Sequence, residues 1–433
     1  MFRALYFGIL LFAVAGHAQP QQTLNILFLG KTQTGKSSLI NIFYNHIVGK
    51  KHEDERAIVI PLRDGADDLF VNVDPYQNYG VGLRQLGGSQ TTQVLRYTAS
   101  NDRYTVHLWD APGFNDTNEE VTDEETVRRI ATAIGETSFN AVAVVLKPNE
   151  PATFDIRANM DRVRTMLPKA AEKNIIGIYT RATNASKGVR KAGAEAFANL
   201  LRIHSVVRPQ TYFMDGSSFF DDGAFDGPAR WGKDSSVVHQ LLNDVANLEP
   251  FDAKEVSTIQ NIADVMRAKA ENRNNVVTGI NEAVAESQRL YRDFMVARHI
   301  GDENREYAKQ RRVRVETGQA VYYQNKWITD ENQKARYYGA RQRSNELYDQ
   351  FVALERHKEA LQATEGSLLR ELRELKSEWK SRVLWSNTHS FIDYLDHQIR
   401  FAQRQSSCSD ASRESRIALL ESQKNFYELI RDL

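Results

Sequence analysis

At 433 residues the chain exceeds one ordinary domain, and two to three are expected. Its 56 Lys and Arg balance 56 Asp and Glu, which argues against a general nucleic-acid binder with a basic face, so no nucleic-acid partner is expected. The single cysteine, Cys408, excludes an intramolecular disulfide framework and a cysteine-based metal cluster.

Residues 1–18 have the layout of a secretory signal peptide. Arg3 supplies the charge, residues 4–15 an apolar run too short for an ordinary membrane span, and Gly16, His17 and Ala18 a cleavage region with small residues. This predicts entry into the secretory pathway. The alternatives are an uncleaved anchor or a start assigned too early in a cytoplasmic protein, and nothing else in the sequence indicates membrane association. Two features pull toward the cytoplasm. A secreted chain with one cysteine lacks the usual staples. Glycans on the sequons Asn115-Asp116-Thr117 and Asn184-Ala185-Ser186 would crowd the nucleotide loop described next.

Strand patterns follow at 24–29, 93–97, 104–109, 141–146, 175–179 and 211–214, alternating with helical patterns that start after the first strand and continue at 119–134, 154–167, 189–201 and 237–248. Alternation with apolar strands predicts an α/β fold with a mostly parallel sheet covered on both faces. Residues 50–88 are polar and turn-rich, and read as a long switch-region insertion. The predicted domain runs over 23–249.

Between the first strand and its helix lies Gly30-Lys31-Thr32-Gln33-Thr34-Gly35-Lys36-Ser37, followed by Ser38, which satisfies the P-loop pattern G-x-x-x-x-G-K-[ST] in its required context. Backbone N–H groups of such a loop point at phosphate oxygens, Lys36 sits between the β- and γ-phosphates, and the Ser37 hydroxyl is offered to Mg²⁺. Downstream, Asp110-Ala111-Pro112-Gly113 ends a strand. Asp110 is placed to hold Mg²⁺ through water, and Gly113 to sense the γ-phosphate through its N–H. Within Gly87-Gly88-Ser89-Gln90-Thr91-Thr92, Thr91 is the first candidate and Thr92 the second for a mobile-loop threonine that reaches the metal. Thr180-Arg181-Ala182-Thr183 stands where GTPases carry their guanine-reading N/T-K-x-D element. Thr180 and Arg181 fit, but Thr183 replaces the carboxylate that accepts from guanine, so guanine preference over adenine is left open. Asn184 could compensate, and Asp215-Gly216-Ser217-Ser218 is a second base-side candidate.

Together, GKTQTGKSSLIN, Ser89-x-Thr91, DAPGF and Thr180-Arg181 resemble the septin-like and immunity-associated (GIMAP-type) branch of the translation-factor-class P-loop GTPases, over roughly residues 24–248. The resemblance implies a Ras-like G domain that binds GTP or GDP with Mg²⁺. Its metal candidates here are Ser37, Thr91 and Asp110. It also implies assembly through the nucleotide face, and so a homodimer or oligomer. Ras-type enzymes follow D-x-x-G with a water-orienting glutamine. Here Phe114 takes that place. Slow hydrolysis, stimulated by a partner or by self-assembly, is therefore expected, with Asn115 and Asp116 nearby. The competing readings are a scaffold with negligible turnover and a P-loop kinase or ATPase. The D-x-P-G element and the lack of a lid signature speak against the last.

All ten prolines lie at or before Pro250, and only five glycines follow it. Residues 250–433 are accordingly expected to be a long all-α region. Leu347, Leu354, Leu361, Leu368 and Leu375 recur every seven residues, with Phe351, Lys358, Glu365, Leu372 and Trp379 at the facing position. Heptads near 344–382 predict either a helical bundle within the chain or an intermolecular coiled coil. The aromatic stretch with Tyr322, Tyr323, Trp327, Tyr337 and Tyr338 reads as helix-packing surface.

Overall fold

The computed structural model describes residues 21–64, 67–69, 72, 93–114, 123–147, 154–182, 186–201, 210–220, 226–318, 320–384, 389–404 and 410–433. Residues 1–18, read above as a signal peptide, Thr91 and Thr92, Asn115, Asp116, Thr183, Asn184 and Cys408 lie outside them. The chain forms two compact units. One joins the residues up to Asp264 with Ser377–Asp432, and the other is Val265–Lys376.

In the first unit, β1 (Gln22–Leu29) leads into α1 (Lys36–Ile47). A short antiparallel pair follows, β2 (Leu62–Asp64) with β3 (Asp67–Leu69). Next come β4 (Leu95–Ser100), β5 (Tyr104–Asp110), α2 (Asp123–Ile134), the two-residue β6 (Ser138–Phe139) and β7 (Ala141–Leu146). Beyond them lie α3 (Phe154–Met166), β8 (Ile175–Tyr179), α4 (Lys187–Leu201), β9 (Thr211–Phe213), α5 (Ser217–Phe220) and α6 (Gly227–Ala246). The six-stranded sheet has the order β4-β5-β1-β7-β8-β9, with every pair parallel except β4–β5. The mostly parallel sheet expected from the alternation is present.

The strand side chains divide by parity, as a period of two requires. Ile26 and Phe28 of β1, with Ala143 and Val145 of β7, pack on one face with Leu39, Ile40 and Phe43 of α1 and Leu241 and Val245 of α6. Leu27, Leu29, Val142 and Val144 turn to the other face, against Ile130 and Ile134 of α2, Val163 of α3 and Phe197 of α4. Burial on both faces explains why these strands read as continuous apolar runs.

Two boundaries move for local reasons. β4 begins at Leu95 instead of residue 93, in register with β5 through a turn in which the Asn101 side chain accepts the N–H groups of Arg103 and Tyr104, both at 2.9 Å. α6 begins at Gly227, ten residues before the apolar periodicity suggests, because Pro228 in its first turn lacks an N–H that would be unsatisfied there anyway. Part of the stretch read as a polar insertion is core. Ile58, Val59, Ile60 and Leu62 are buried against α1.

The two residues of β10 (Phe251–Asp252) pair with β6, after which α7 (Lys254–Glu303) begins. α8 (Glu331–Arg382), α9 (His389–Arg404) and α10 (Asp410–Asp432) end the chain. α9 and α10 belong to the first unit. Arg162 of α3 lies 4.5 Å over the Tyr394 ring, and Tyr394 and Leu395 pack with Leu420 and Tyr427 of α10.

In the second unit the stretches of α7 and α8 run antiparallel. Lys269 pairs with Glu371, Arg273 with Glu365 at 2.7 Å, and Ser287 donates to Glu355. Leu290, Ala297 and Leu347 are buried with Phe294, Phe351 and Leu354 around them. Leu347 and Leu354 of the ladder thus cluster with residues of α7 in the same chain. The ladder's polar facing residues are accommodated by ion pairs, Glu365 to Arg273 and Lys358 to Glu355. The second part is not entirely helical. β11 (Ala308–Thr317) and β12 (Ala320–Thr329) form an antiparallel hairpin joined at Gly318 and residue 319. Tyr322, Tyr323 and Trp327 therefore lie on a strand and not on a helix surface, as their β-branched and aromatic neighbours favour.

Candidate nucleotide site

The phosphate loop gets its shape from two left-handed residues, Gln33 (φ 66°) and Gly35 (φ 91°). Such alternation turns successive N–H groups to one side and forms an anion-binding concavity. α1 starts directly behind it at Lys36, with no side-chain cap and no acidic residue in its first turn. An uncapped helix N-terminus favours an anion. The Thr34 hydroxyl closes the loop by donating to the Lys31 carbonyl at 2.8 Å, and buried Lys36 donates to the Gly30 and Lys31 carbonyls at 3.3 Å each. Ser37 and Ser38 occupy the first turn of α1, both half-buried.

The end of β5 carries Asp110, fully buried between β1 and β4. Ser37 donates to its carboxylate at 3.2 Å. Two hard oxygen donors at the helix N-terminus fit a magnesium ion, which takes one or two carboxylates and completes its shell with water and substrate phosphates. Among the described residues no group of three His, Cys, Asp or Glu could hold a metal by itself. Burial, with the Asp110 charge as a second cause, holds the nearby Tyr97 phenol well above its ordinary range.

Gly113 and Phe114 lie directly on the phosphate loop. The Phe114 N–H donates to the Gly30 carbonyl at 3.1 Å, and the Thr32 N–H donates to the Phe114 carbonyl at 2.9 Å. A Cβ on Gly113 would stand 2.7 Å from the Thr32 amide nitrogen, so only glycine permits the approach. The Phe114 side chain points away, into the core with Leu27, Leu29 and Ile130.

Just beyond β8, the Thr180 hydroxyl donates to the Thr34 carbonyl at 2.9 Å, and Arg181 follows in the left-handed conformation (φ 56°) with its side chain exposed. Asp215 and Gly216 are fastened by a residue that the motif reading missed. Buried Asp234 of α6 accepts the Asp215 N–H at 3.0 Å and the Gly216 N–H at 2.8 Å, while burial shifts its acid upward. A second missed pair had a sequence signal, since Asn41 and Asn45 interrupt an apolar helix at a spacing of four. Asn41 Oδ1 accepts from Val59 at 2.7 Å and its Nδ2 donates to Ile60 at 2.9 Å, and Asn45 bonds Ala57 in the same two senses at 2.9 and 2.7 Å. Together they clamp the segment that leads out of α1.

The structure thus gathers Gly30–Ser38, Asp110, Gly113 and Thr180 around one end of the sheet. No protein-family model matches the chain, and no curated protein matches it. Among solved structures it is similar to Toc33 from Arabidopsis thaliana in complex with GDP and Mg²⁺, with 13% identity, a TM-score of 0.35 and coverage of 56% of this chain and 89% of that one. Toc33 with Mg²⁺ and GMPPNP gives 12%, 0.32, 55% and 90% for the same quantities. A bacterial selenocysteine-specific elongation factor, EF-Sec, gives 12%, 0.31, 52% and 29%.

Proposed function

We propose that this chain binds a guanine nucleoside triphosphate with Mg²⁺ and hydrolyses it slowly, as a nucleotide-dependent switch. The observation that carries the reading is the Ser37–Asp110 contact of 3.2 Å beside the Gln33–Gly35 concavity, which puts metal-type oxygen donors next to a phosphate cradle. In this reading the loop amides and Lys36 would bind the phosphates, and Ser37 and Asp110 would hold a magnesium ion, which would supply charge neutralisation for the phosphates. Thr180 keeps the loop in shape from the base side, and Arg181 covers the base. The Phe114 backbone bonds to Gly30 and Thr32 are the element a γ-phosphate would compete with, which supports a switch.

Slow turnover is supported by the position of Phe114, whose buried side chain cannot orient water. Acceleration would then come from groups supplied by a partner or a second copy of the chain. The test is titration of a fluorescent guanine nucleotide into wild type and Lys36→Ala, with ATP as competitor. Loss of binding in the variant and poor displacement by ATP are expected. Unchanged binding in Lys36→Ala would overturn the phosphate assignment, and equal displacement by ATP would overturn the guanine assignment. Turnover measured across protein concentrations separates the switch from a scaffold.

A further inference from the structure

We infer that the β11–β12 hairpin is a docking element for the surface of an anionic phospholipid bilayer. The chain carries no net charge, yet within this hairpin Lys309, Arg311, Arg312, Arg314 and Lys326 face a single acid, Glu316, for a net charge of +4. Glu316 is paired with Arg314. Alongside these cations, Trp327 is 68% exposed, Tyr323 57% and Ile328 44%. Exposed large side chains on a two-stranded sheet are costly in water, and a lone hairpin is marginal without a surface to cover it.

The register shows how the two chemistries are arranged. Directly paired residues share a face, so Trp327, Tyr323, Arg312 and Arg314 lie on one side, and Ile328, Val313, Val315, Lys309, Arg311 and Lys326 on the other. Along the hairpin, the rungs nearest the turn are Thr317–Ala320, Glu316–Val321 and Val315–Tyr322, while Arg311, Arg312, Arg314 and Lys326 follow in the next four. At about 3.4 Å per rung, the cations stand roughly 10–20 Å behind the turn. The exposed Trp327 and Ile328 stand in the two rungs beyond them, Gln310–Trp327 and Lys309–Ile328. Cations and large apolar side chains thus lie side by side along the strands, as suits a hairpin lying along a bilayer interface, where Tyr and Trp settle at headgroup depth and long basic side chains reach the phosphates. Among the described residues no helix is long and apolar enough to cross a membrane, so the association would be peripheral.

Other occupants fit less well. A second copy would bring another +4 hairpin, and rows of Arg and Lys along a strand discourage edge pairing. Single-stranded nucleic acid needs open aromatic faces for stacking. Here the Arg312 guanidinium lies 4.9 Å over the Tyr323 ring, and valines and an isoleucine fill positions that stacking does not use.

The test is sedimentation of the full chain, without nucleotide, with phosphatidylcholine vesicles lacking or containing phosphatidylserine. Binding only to the phosphatidylserine vesicles is expected, weakened by added salt. The triple variant Arg311→Ala, Arg312→Ala, Arg314→Ala should bind about 100-fold more weakly, at about fivefold per arginine. A blue shift of tryptophan emission on vesicle binding should disappear in Trp327→Phe. Circular dichroism should show unchanged helix content in both variants, because the substituted side chains are exposed. Equal binding to both vesicle types, an unaltered triple variant, or retention of oligonucleotides but not vesicles would each overturn the assignment, the last in favour of nucleic acid.

Discussion

The Thr180 hydroxyl at the end of β8 donates to the Thr34 carbonyl of the phosphate loop at 2.9 Å and lies 3.3 Å from the Leu146 carbonyl. The residue expected to read the base therefore also braces the loop expected to bind phosphate. Thr180→Val keeps the shape and removes the hydroxyl donor to the Thr34 carbonyl, at a cost of about 1–3 kcal/mol, while the Leu146 carbonyl keeps the Thr180 N–H. The expected outcome is a lower thermal midpoint and weaker binding of both di- and triphosphate, with Thr180→Ser restoring both. Calorimetry of the three proteins checks it.

Asp110 accepts from Ser37 and sits at the end of the strand beside the phosphate loop. Asp110→Asn preserves size and removes the charge. The loss of a charged contact of about 1.5–3 kcal/mol should weaken magnesium-dependent nucleotide binding about 10- to 100-fold. Binding measured in excess chelator should change little. If both conditions change equally, Asp110 acts on the fold and not through the metal.

Phe114 follows Gly113, where the resemblance to GTPases would put a water-orienting side chain, yet its ring is core. Phe114→Gln should therefore not raise the rate of hydrolysis. It buries an amide among Leu27, Leu29 and Ile130, and should cost about 3 kcal/mol or more of stability. Single-turnover rates and chemical denaturation test the two halves of this expectation. A faster, equally stable variant would place the side chain at the phosphates.

His46, buried beneath Trp231 at a ring separation of 4.4 Å, finds no hydrogen-bond partner for either ring nitrogen among the described residues. Burial first, and then the charges of His239 and Arg56, lower its pKa from 6.5 to about 3. The folded state thus keeps the ring neutral while the unfolded chain takes up a proton as pH falls below 6.5. Stability is complete above that pH and declines by up to about 1.4 kcal/mol per pH unit down to the folded value. In His46→Leu the fall in thermal midpoint between neutral and mildly acidic pH should be smaller than in wild type. An identical fall in both proteins would assign the acid sensitivity elsewhere.

Much of this was legible in the residues. Ala141–Leu146 and Ile175–Tyr179 are uninterrupted apolar runs, and their strands begin and end where the runs do, because a strand buried on both faces admits no polar position. The phosphate loop was legible because its chemistry is local: glycine spacing, one lysine and one serine must lie within eight residues to wrap a phosphate. Contacts that close over long separations were not legible. Asp234 holds the Asp215–Gly216 backbone from a different element, and Asn41 holds Val59 and Ile60 across a segment whose composition reads as polar. The hairpin at Ala308–Thr329 was hidden by the absence of proline, which permits a helix without requiring one.

Composition and spacing by themselves determined that an α/β part with a phosphate loop precedes a proline-free, mainly helical part. Only the tertiary structure places Leu347 and Leu354 of the ladder in a cluster with Leu290 and Ala297 of their own chain, since a heptad describes a seam and not the partner that fills it. Tertiary structure likewise decided that Phe114 faces the core and that Thr180 braces the phosphate loop. A side chain's direction follows from the elements around it, which no stretch of sequence contains.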